Sequence, residues 1–286
     1  ASSTRQSRRH NRTLFNTALV LLAALLLASA ATSLAAQVSA QQITLSGSST
    51  VAPLAAEIAK RFEQRHPGVR VDVQSGGSSR GINEARQGLV QIGMVSRALK
   101  ADEADLTATA IAMDGVSVIL HSSNKVPALS DAQIKAIYTG EVRNWKQLGG
   151  ADRPITVVNK AEGRSTLELF LHHFQLKNKD IRAQVVIGEN QQGIKTVAGN
   201  PGAIGYVSIG TAEYEAEQGT PIRQLPKAGE PATVAQVQAG KFPLSRPLNL
   251  VVKGQPSALT RQFLDFAQSK DVHDLVKAQF FVPLAR

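Results

Sequence analysis

From Gln42 onward a short apolar run, a turn rich in glycine and serine and an amphipathic helix follow one another repeatedly, and this alternation restricts the fold more than any other feature. Residues 43–45 run into Ser46-Gly47-Ser48-Ser49-Thr50. Residues 53–64 then place Leu54, Ile58 and Phe62 at helical spacing, with proline in the first turn. Residues 69–73 alternate as a half-buried strand does, enter Ser75-Gly76-Gly77-Ser78-Ser79, and give way to a helix predicted near 81–87; residues 91–95 are the next strand. Strands that alternate with helices in this way predict an α/β fold with mostly parallel or mixed sheets flanked by helices, rather than a sandwich or a bundle.

Residues 111–121 (IAMDGVSVILH) are the longest strand-like run, and Ser122 to Pro127 after it reads as a crossing between lobes. A second lobe then holds a helix at 131–138, a loop with Asn144 and Trp145, a strand at 155–158, a helix at 166–174 and a strand at 203–207. Beyond Tyr214, Gly219, Pro221, Pro226, Gly229, Pro231 and Pro243 mark a connecting region; a strand at 248–252 and helices at 259–268 and 271–278 follow. The 286 residues, 43% of them hydrophobic, suffice for two cores. The expected organisation is a leader at 1–40, a first lobe at 41–121, a second at 122–215, and a connecting region with return to the first lobe at 216–286. A ligand is expected in the cleft between lobes.

Arg5, Arg8, Arg9 and Arg12 precede an apolar stretch at 18–28, shorter than the ~20 residues a spanning helix needs and suited to an export signal. Val38-Ser39-Ala40 fits a cleavage site, so Gln41 is expected to open a mature periplasmic or secreted chain without stable membrane insertion. Those four arginines carry part of the +10 net charge; the remainder has 28 Lys and Arg against 22 Asp and Glu. The absence of cysteine excludes disulfides, thiolate nucleophiles, iron–sulfur clusters and Cys-ligated zinc. Aromatic residues are 5% of the chain and do not interleave with basic patches, which argues against nucleic-acid binding. No metal or cofactor is expected.

Ser46 to Thr50, Ser75 to Ser79 and Gly163-Arg164-Ser165-Thr166 all sit at strand-to-helix turns. A helix start exposes unpaired N–H groups and partial positive charge, and small or hydroxyl residues let an anion approach them. Three such turns could converge on one oxyanion, although each alone is also an ordinary helix cap.

Other constellations compete. Gly77-Ser78-Ser79-Arg80-Gly81 satisfies the G-x-S-x-G pattern of a hydrolase nucleophile elbow, with Asp265 and His273 as partners for Ser79. His172 and His173 are adjacent on a helix and diverge by about 100°, unsuited to sharing a metal. Gly188 and Gly193 have P-loop spacing, but Ile194 stands where the lysine is required. Trp145 reads as a packing residue near the crossing.

Taken in order, Gly47-Ser48-Ser49-Thr50-Val51, Gly76-Gly77-Ser78-Ser79-Arg80-Gly81, Ile92-Gly93-Met94-Val95-Ser96-Arg97, Ala112-Met113-Asp114-Gly115, Tyr138-Thr139-Gly140 with Trp145, Glu162-Gly163-Arg164-Ser165-Thr166 and Pro243-Leu244-Ser245-Arg246-Pro247 resemble the substrate-binding proteins of phosphate ABC importers. The resemblance spans residues 42–286. It implies a type II periplasmic-binding-protein fold whose two α/β lobes close over inorganic phosphate without a metal, as a monomer that delivers the ion to an inner-membrane ABC permease. By position it implies Ser48, Ser49, Thr50, the Val51 N–H, Ser78, Ser96, Arg164, Ser165 and Thr166 as ligands. Arg80, Arg97 and Arg164 are expected to add attraction for the anion.

Two departures bear on specificity. Some relatives carry Asp where this chain has Arg97, a carboxylate that accepts the proton of hydrogen phosphate; a cation there leaves sulfate or an organic phosphate open as ligands. Asp114 is a candidate replacement acceptor, or a structural turn residue. The usual Gly-Ser-Gly-Thr is Gly163-Arg164-Ser165-Thr166, and Lys160 occupies the place of a common arginine; Arg164 could take over a bidentate contact.

Overall fold

The structure, a computed structural model, describes residues 41–284; the expected export signal and its cleavage site lie outside the described residues. The apolar runs form strands. β1 (Gln42–Gly47) pairs in parallel with β3 (Ile92–Val95), from Leu45 opposite Ile92 to Gly47 opposite Met94. Between them in the chain come α1 (Ala52–Arg65), β2 (Arg70–Ser75) and α2 (Ser78–Arg86). β4 (Leu106–His121) has 16 residues and is followed by α3 (Asp131–Tyr138), β5 (Thr156–Lys160), α4 (Ser165–Phe174), β6 (Val185–Ile187), α5 (Asn190–Ala198), β7 (Ala203–Ser208), α6 (Ile209–Glu217) and β8 (Ile222–Gln224). The chain ends with α7 (Val234–Gln238), β9 (Ser245–Lys253), α8 (Ala258–Ala267), α9 (His273–Ala278) and β10 (Val282–Pro283).

The strand order is β2-β1-β3-β9-β4-β7-β5-β6, with β8 and β10 also on β4. β4 changes neighbours along its length. From Leu106 to Gly115 it runs antiparallel to β9, and from Val116 to Leu120 antiparallel to β7. β5 lies parallel to both β7 and β6. The alternation in the sequence thus gives two sets of parallel strands, β1 with β3 and β5 with β6 and β7, joined by one long strand that belongs to both. Of the described residues, 43–67 and 71–284 form one compact unit. In the other unit, the Arg70 N–H donates to the Gln41 carbonyl at 2.9 Å.

Each helix buries one apolar face. α1 covers its sheet with Leu54, Ala55, Ile58, Ala59 and Phe62, and the Phe62 ring meets Phe263 of α8 edge-on at 5.2 Å. Around β5 and β7 the Phe170 and Tyr206 rings stack at 3.9 Å, with Tyr138 alongside. Tyr206 OH donates to Asn159 Oδ1 at 2.6 Å and accepts from the Lys160 N–H at 3.3 Å, which pins the end of β5. Trp145 is a packing residue, 1% exposed, with Nε1 donating to the Gly202 carbonyl at 2.9 Å.

Some elements differ from expectation. α2 begins at Ser78, because a glycine-rich start hides the first turn, and β4 begins five residues before the apolar run, on the alternating Thr107 and Thr109. β6 and α5 escape a reading of apolar periodicity: β6 is a three-residue edge strand, and α5 buries only Asn190, Gly193, Ile194 and Val197. The proline-rich connecting region contains β8 and α7. Among the described residues no helix is long and apolar enough to cross a membrane. Trp145→Phe removes the indole bond and some buried volume, and is expected to lower stability by about 1–3 kcal/mol in urea unfolding.

Candidate functional site

The three serine-rich turns do meet. Ser48, Ser49 and Thr50 before α1, Gly77 and Ser78 at α2, Ser96 after β3, and Arg164, Ser165 and Thr166 at α4 line one polar cavity, completed by Lys160 and Gly188. Its volume is about 10 Å³. Sites for drug-sized ligands run to roughly 300–1,000 Å³, so this one suits a small ion. α1, α2 and α4 have no side-chain cap on their first N–H groups, whereas α3, α6, α7 and α8 are capped by Ser130, Ser208, Thr233 and Ser257. No serine side chain of the cavity sits at the N-cap position of these three helices, whose starts face the same space; the Ala52 N–H of α1 is held by the Ser48 carbonyl at 3.0 Å and the Ser79 N–H of α2 by the Gly163 carbonyl at 3.1 Å. Gly77, at φ +97°, makes the approach possible: a Cβ there would lie 2.9 Å from the Gly163 carbonyl oxygen.

Behind the hydroxyls lies Arg246, 2% exposed. Its Nε and Nη2 donate to Asp114 Oδ2 at 3.2 and 2.9 Å. Nη1 donates to Thr166 Oγ1 at 2.9 Å and to Ser96 Oγ at 3.4 Å, and Nη2 donates to Thr50 Oγ1 at 3.2 Å. Thr50 Oγ1 also accepts from Asn190 Nδ2 at 3.0 Å, and Ser96 Oγ accepts from Ser48 Oγ at 2.9 Å. A hydroxyl has one proton to give, and these oxygens accept from behind, so the protons of Thr50, Ser96 and Thr166 are left to donate into the cavity. Ser165 Oγ is buried with no partner. A buried polar atom without a partner is uncommon, and here it faces a cavity of donors.

Lys160, also 2% exposed, donates from Nζ to Asn190 Oδ1 at 2.7 Å. Burial, followed by the nearby charge of Arg246, lowers its pKa to about 7 despite the opposing pull of Glu189. Arg164 lines the cavity and pairs with Glu189 Oε1 at 2.8 Å. Among the described residues the lining offers hydroxyl, amide, guanidinium and ammonium donors and no carboxylate.

Other expected site residues lie elsewhere. The Val51 N–H donates to Ser48 Oγ at 3.3 Å. Arg97 turns away from the cavity: it grips Glu103 through Nη1 and Nη2 at 2.7 and 2.8 Å, and its Nε lies 2.7 Å from Glu168 Oε2. Burial opposes its charge, yet these carboxylates hold its pKa above the usual arginine value. Arg80 pairs with Glu84 at 2.6 Å. Neither guanidinium is placed to attract an anion into the cavity. Asp114 is the counter-ion of Arg246, and its Oδ1 accepts from the Gly210 N–H at 3.3 Å; it reaches the cavity through the arginine rather than directly.

The hydrolase constellation is not assembled. Ser79 Oγ donates to Glu168 Oε1 at 3.4 Å, and Asp265 lines a different cavity, with Thr107 and Arg261. His173 faces Asp131 at 3.2 Å. The N–H of Gly188, first glycine of the P-loop-like spacing, donates to Gln192 Oε1 at 2.9 Å. Reading the turns missed the importance of Lys160 and Arg246. Both are cations at the edge of buried apolar strands, a placement that a purely structural role does not explain.

A family model for a PBP superfamily domain matches residues 32–271. The chain belongs to this superfamily. Its two-lobed α/β fold with a mixed sheet is that of the periplasmic binding proteins. The phosphate-binding protein PstS of Bacillus subtilis is 28% identical over 248 residues, covering 85% of this chain and 80% of that protein. A putative phosphate ABC transporter substrate-binding protein with bound phosphate from Clostridium perfringens superposes with a TM-score of 0.79 at 32% identity, over 85% of this chain and 100% of that one. An ABC-type phosphate transport receptor from Vibrio cholerae gives 0.71 at 28% identity, over 85% and 100%.

Arg246→Met and Asp114→Leu each leave one buried charge unpaired, and each is expected to cost about 3–5 kcal/mol in urea unfolding, most of it recovered in the double variant. Lys160 titrates near 7 folded and at 10.5 ordinarily, so between these values the unfolded chain holds a proton that the folded chain lacks. Stability of the empty protein should therefore rise with pH over that window by up to about 1.4 kcal/mol per unit relative to Lys160→Met, measured by unfolding both at pH 7 and 9.

Proposed function

We propose that this protein is an exported, periplasmic binding protein that captures inorganic phosphate between its lobes and delivers it to an inner-membrane ABC permease, acting as a monomer and not as an enzyme. The observation that carries the reading is the donor-only cavity, where three uncapped helix starts, oriented hydroxyls and the unpartnered Ser165 surround a space for one small ion. An oxyanion satisfies all of these donors at once. The phosphate named for the relatives in Bacillus subtilis, Clostridium perfringens and Vibrio cholerae supports the choice of ion. The exchange of partners along β4 between Gly115 and Val116 supports a division into lobes just before the boundary expected at 121, with β9 and the helices after it returning to the first lobe.

A second reading, another tetrahedral oxyanion such as sulfate or an organic phosphate, is favoured by one observation: no carboxylate lines the cavity to accept a proton from hydrogen phosphate.

Calorimetric titration with phosphate tests the proposal. Binding at micromolar Kd or tighter is expected. Ser165→Ala should weaken it roughly tenfold to a hundredfold, since a hydrogen bond to a charged ligand contributes about 1.5–3 kcal/mol. Ser79→Ala should leave it within about threefold. Absence of binding would overturn the reading.

A further inference from the structure

Three cations border the cavity, and they differ in what balances them. Arg246 holds Asp114 at 2.9 Å and Arg164 holds Glu189 at 2.8 Å. Lys160 has no carboxylate of its own. Among the described residues its Nζ has one hydrogen-bond partner, the neutral amide oxygen of Asn190 on α5. The charged groups acting on it from neighbouring elements are Arg246 from β9, Arg164 from the turn before α4, and Glu189 from the turn before α5. Glu189 is already shared between Arg164 and Ser75 Oγ, which donates to it at 3.0 Å. From β7, Tyr206 OH accepts the backbone N–H of Lys160 and does not balance its ammonium. Lys160 is thus the one cavity-lining cation whose charge is left to the ligand.

We propose that Lys160 is the proton acceptor of this site and the residue that separates phosphate from sulfate. Its amine gains a proton, or a hydrogen bond from one, as the anion enters, and only an anion with an O–H group brings that proton. The proposal rests on the oxyanion reading of the cavity.

In the empty site burial and two guanidinium groups favour the neutral amine, which is half-formed at about pH 7 and dominant above it. Phosphate keeps at least one O–H throughout the neutral and mildly alkaline range. That O–H faces the lone pair of the Lys160 nitrogen. Either the O–H bond breaks as an N–H bond forms, leaving an ammonium against a phosphate oxygen, or the proton stays on oxygen and the hydrogen bond runs in the same direction. Sulfate has only lone pairs to present. A neutral amine must therefore first take a proton from buffer, at a cost that grows about tenfold per pH unit above its pKa. A lysine in this position thus does what a guanidinium, always protonated, cannot do.

The test is titration of the full chain with phosphate and with sulfate at pH 6, 7, 8 and 9, in two buffers of different ionisation heat. The sulfate Kd is expected to weaken about tenfold per unit above pH 7, with uptake of nearly one proton per anion. The phosphate Kd should change less than about threefold between pH 7 and 9. Lys160→Arg should flatten the sulfate profile, so that sulfate binds at pH 8 as it does at pH 6, and Lys160→Met should weaken both anions. Parallel profiles for the two anions in the parent protein overturn the proposal whether or not the variants fold, as does a sulfate profile unchanged in Lys160→Arg, and both leave the oxyanion reading standing. Absence of binding by either anion at every pH overturns both.

Discussion

The cavity depends on a single cross-strand ion pair. Asp114 on β4 and Arg246 on β9 stand directly opposite each other, one residue before the end of their ladder, where β4 leaves β9 for β7. A buried arginine is tolerated only when its charge is met and its N–H groups are filled. Asp114 supplies the charge, and Thr50, Ser96 and Thr166 take the remaining donors. These hydroxyls come from both sets of parallel strands. One guanidinium on β9 therefore fixes the orientation of donors contributed by three separate turns, and its counter-ion Asp114 stands on β4, the strand that pairs with both β9 and β7. Arg246 need not touch the ion to determine what the ion meets.

Further contacts hold the turns together around the cavity. The Ser79 N–H donates to the Gly163 carbonyl at 3.1 Å, which brings the start of α2 against the turn before α4. Glu168 of α4 faces Arg97 at 2.7 Å and Lys100 at 3.1 Å. At the position where some relatives are expected to carry an acid, this chain has a base whose partners are acids, Glu103 and Glu168 of α4. Arg97 thus belongs to the contact between the loop after β3 and α4 and not to the ion, and among the described residues the lining is left without a carboxylate. The shift of the proton-accepting role to Lys160 follows from the same exchange.

The α/β class, the order of most elements and the three helix-start turns were legible in the sequence because they depend on local signals: apolar periodicity, proline in a first turn, glycine and serine before helices. What those turns share was not legible. Arg246 lies 80 residues beyond Thr166 and 196 beyond Thr50; only the β4–β9 register brings it behind them. Arg97 is expected to attract the anion because it directly follows Ser96 in the loop after β3, where some relatives carry Asp. The chain bends after β3 ends at Val95, and the Arg97 side chain meets Glu103 and Glu168 instead of the cavity. α5 was invisible for a related reason: its polar sequence gives a weak apolar stripe, and its buried Asn190 serves Lys160 and Thr50 rather than the core.

The charge balance of the cavity explains why so few unpaired cations suffice. Arg246 with Asp114 and Arg164 with Glu189 are each close to neutral as pairs, so neither confronts a dianion with a full uncompensated charge. Three helix starts contribute roughly half a positive charge each, fixed in the backbone and without the desolvation cost of a buried ion. Whether the shared proton sits on Lys160 or on phosphate, lysine and ligand together keep the charge of the hydrogen phosphate that entered, about −2 for the dianion, against roughly +1.5 from the helix starts. Retaining Lys160 as a neutral amine in the empty site means that its nitrogen meets the ligand as a hydrogen-bond acceptor and that the proton they share is the ligand's own. The empty cavity thereby avoids a permanently buried, unbalanced charge, which the folded chain could hold only at the expense of its stability.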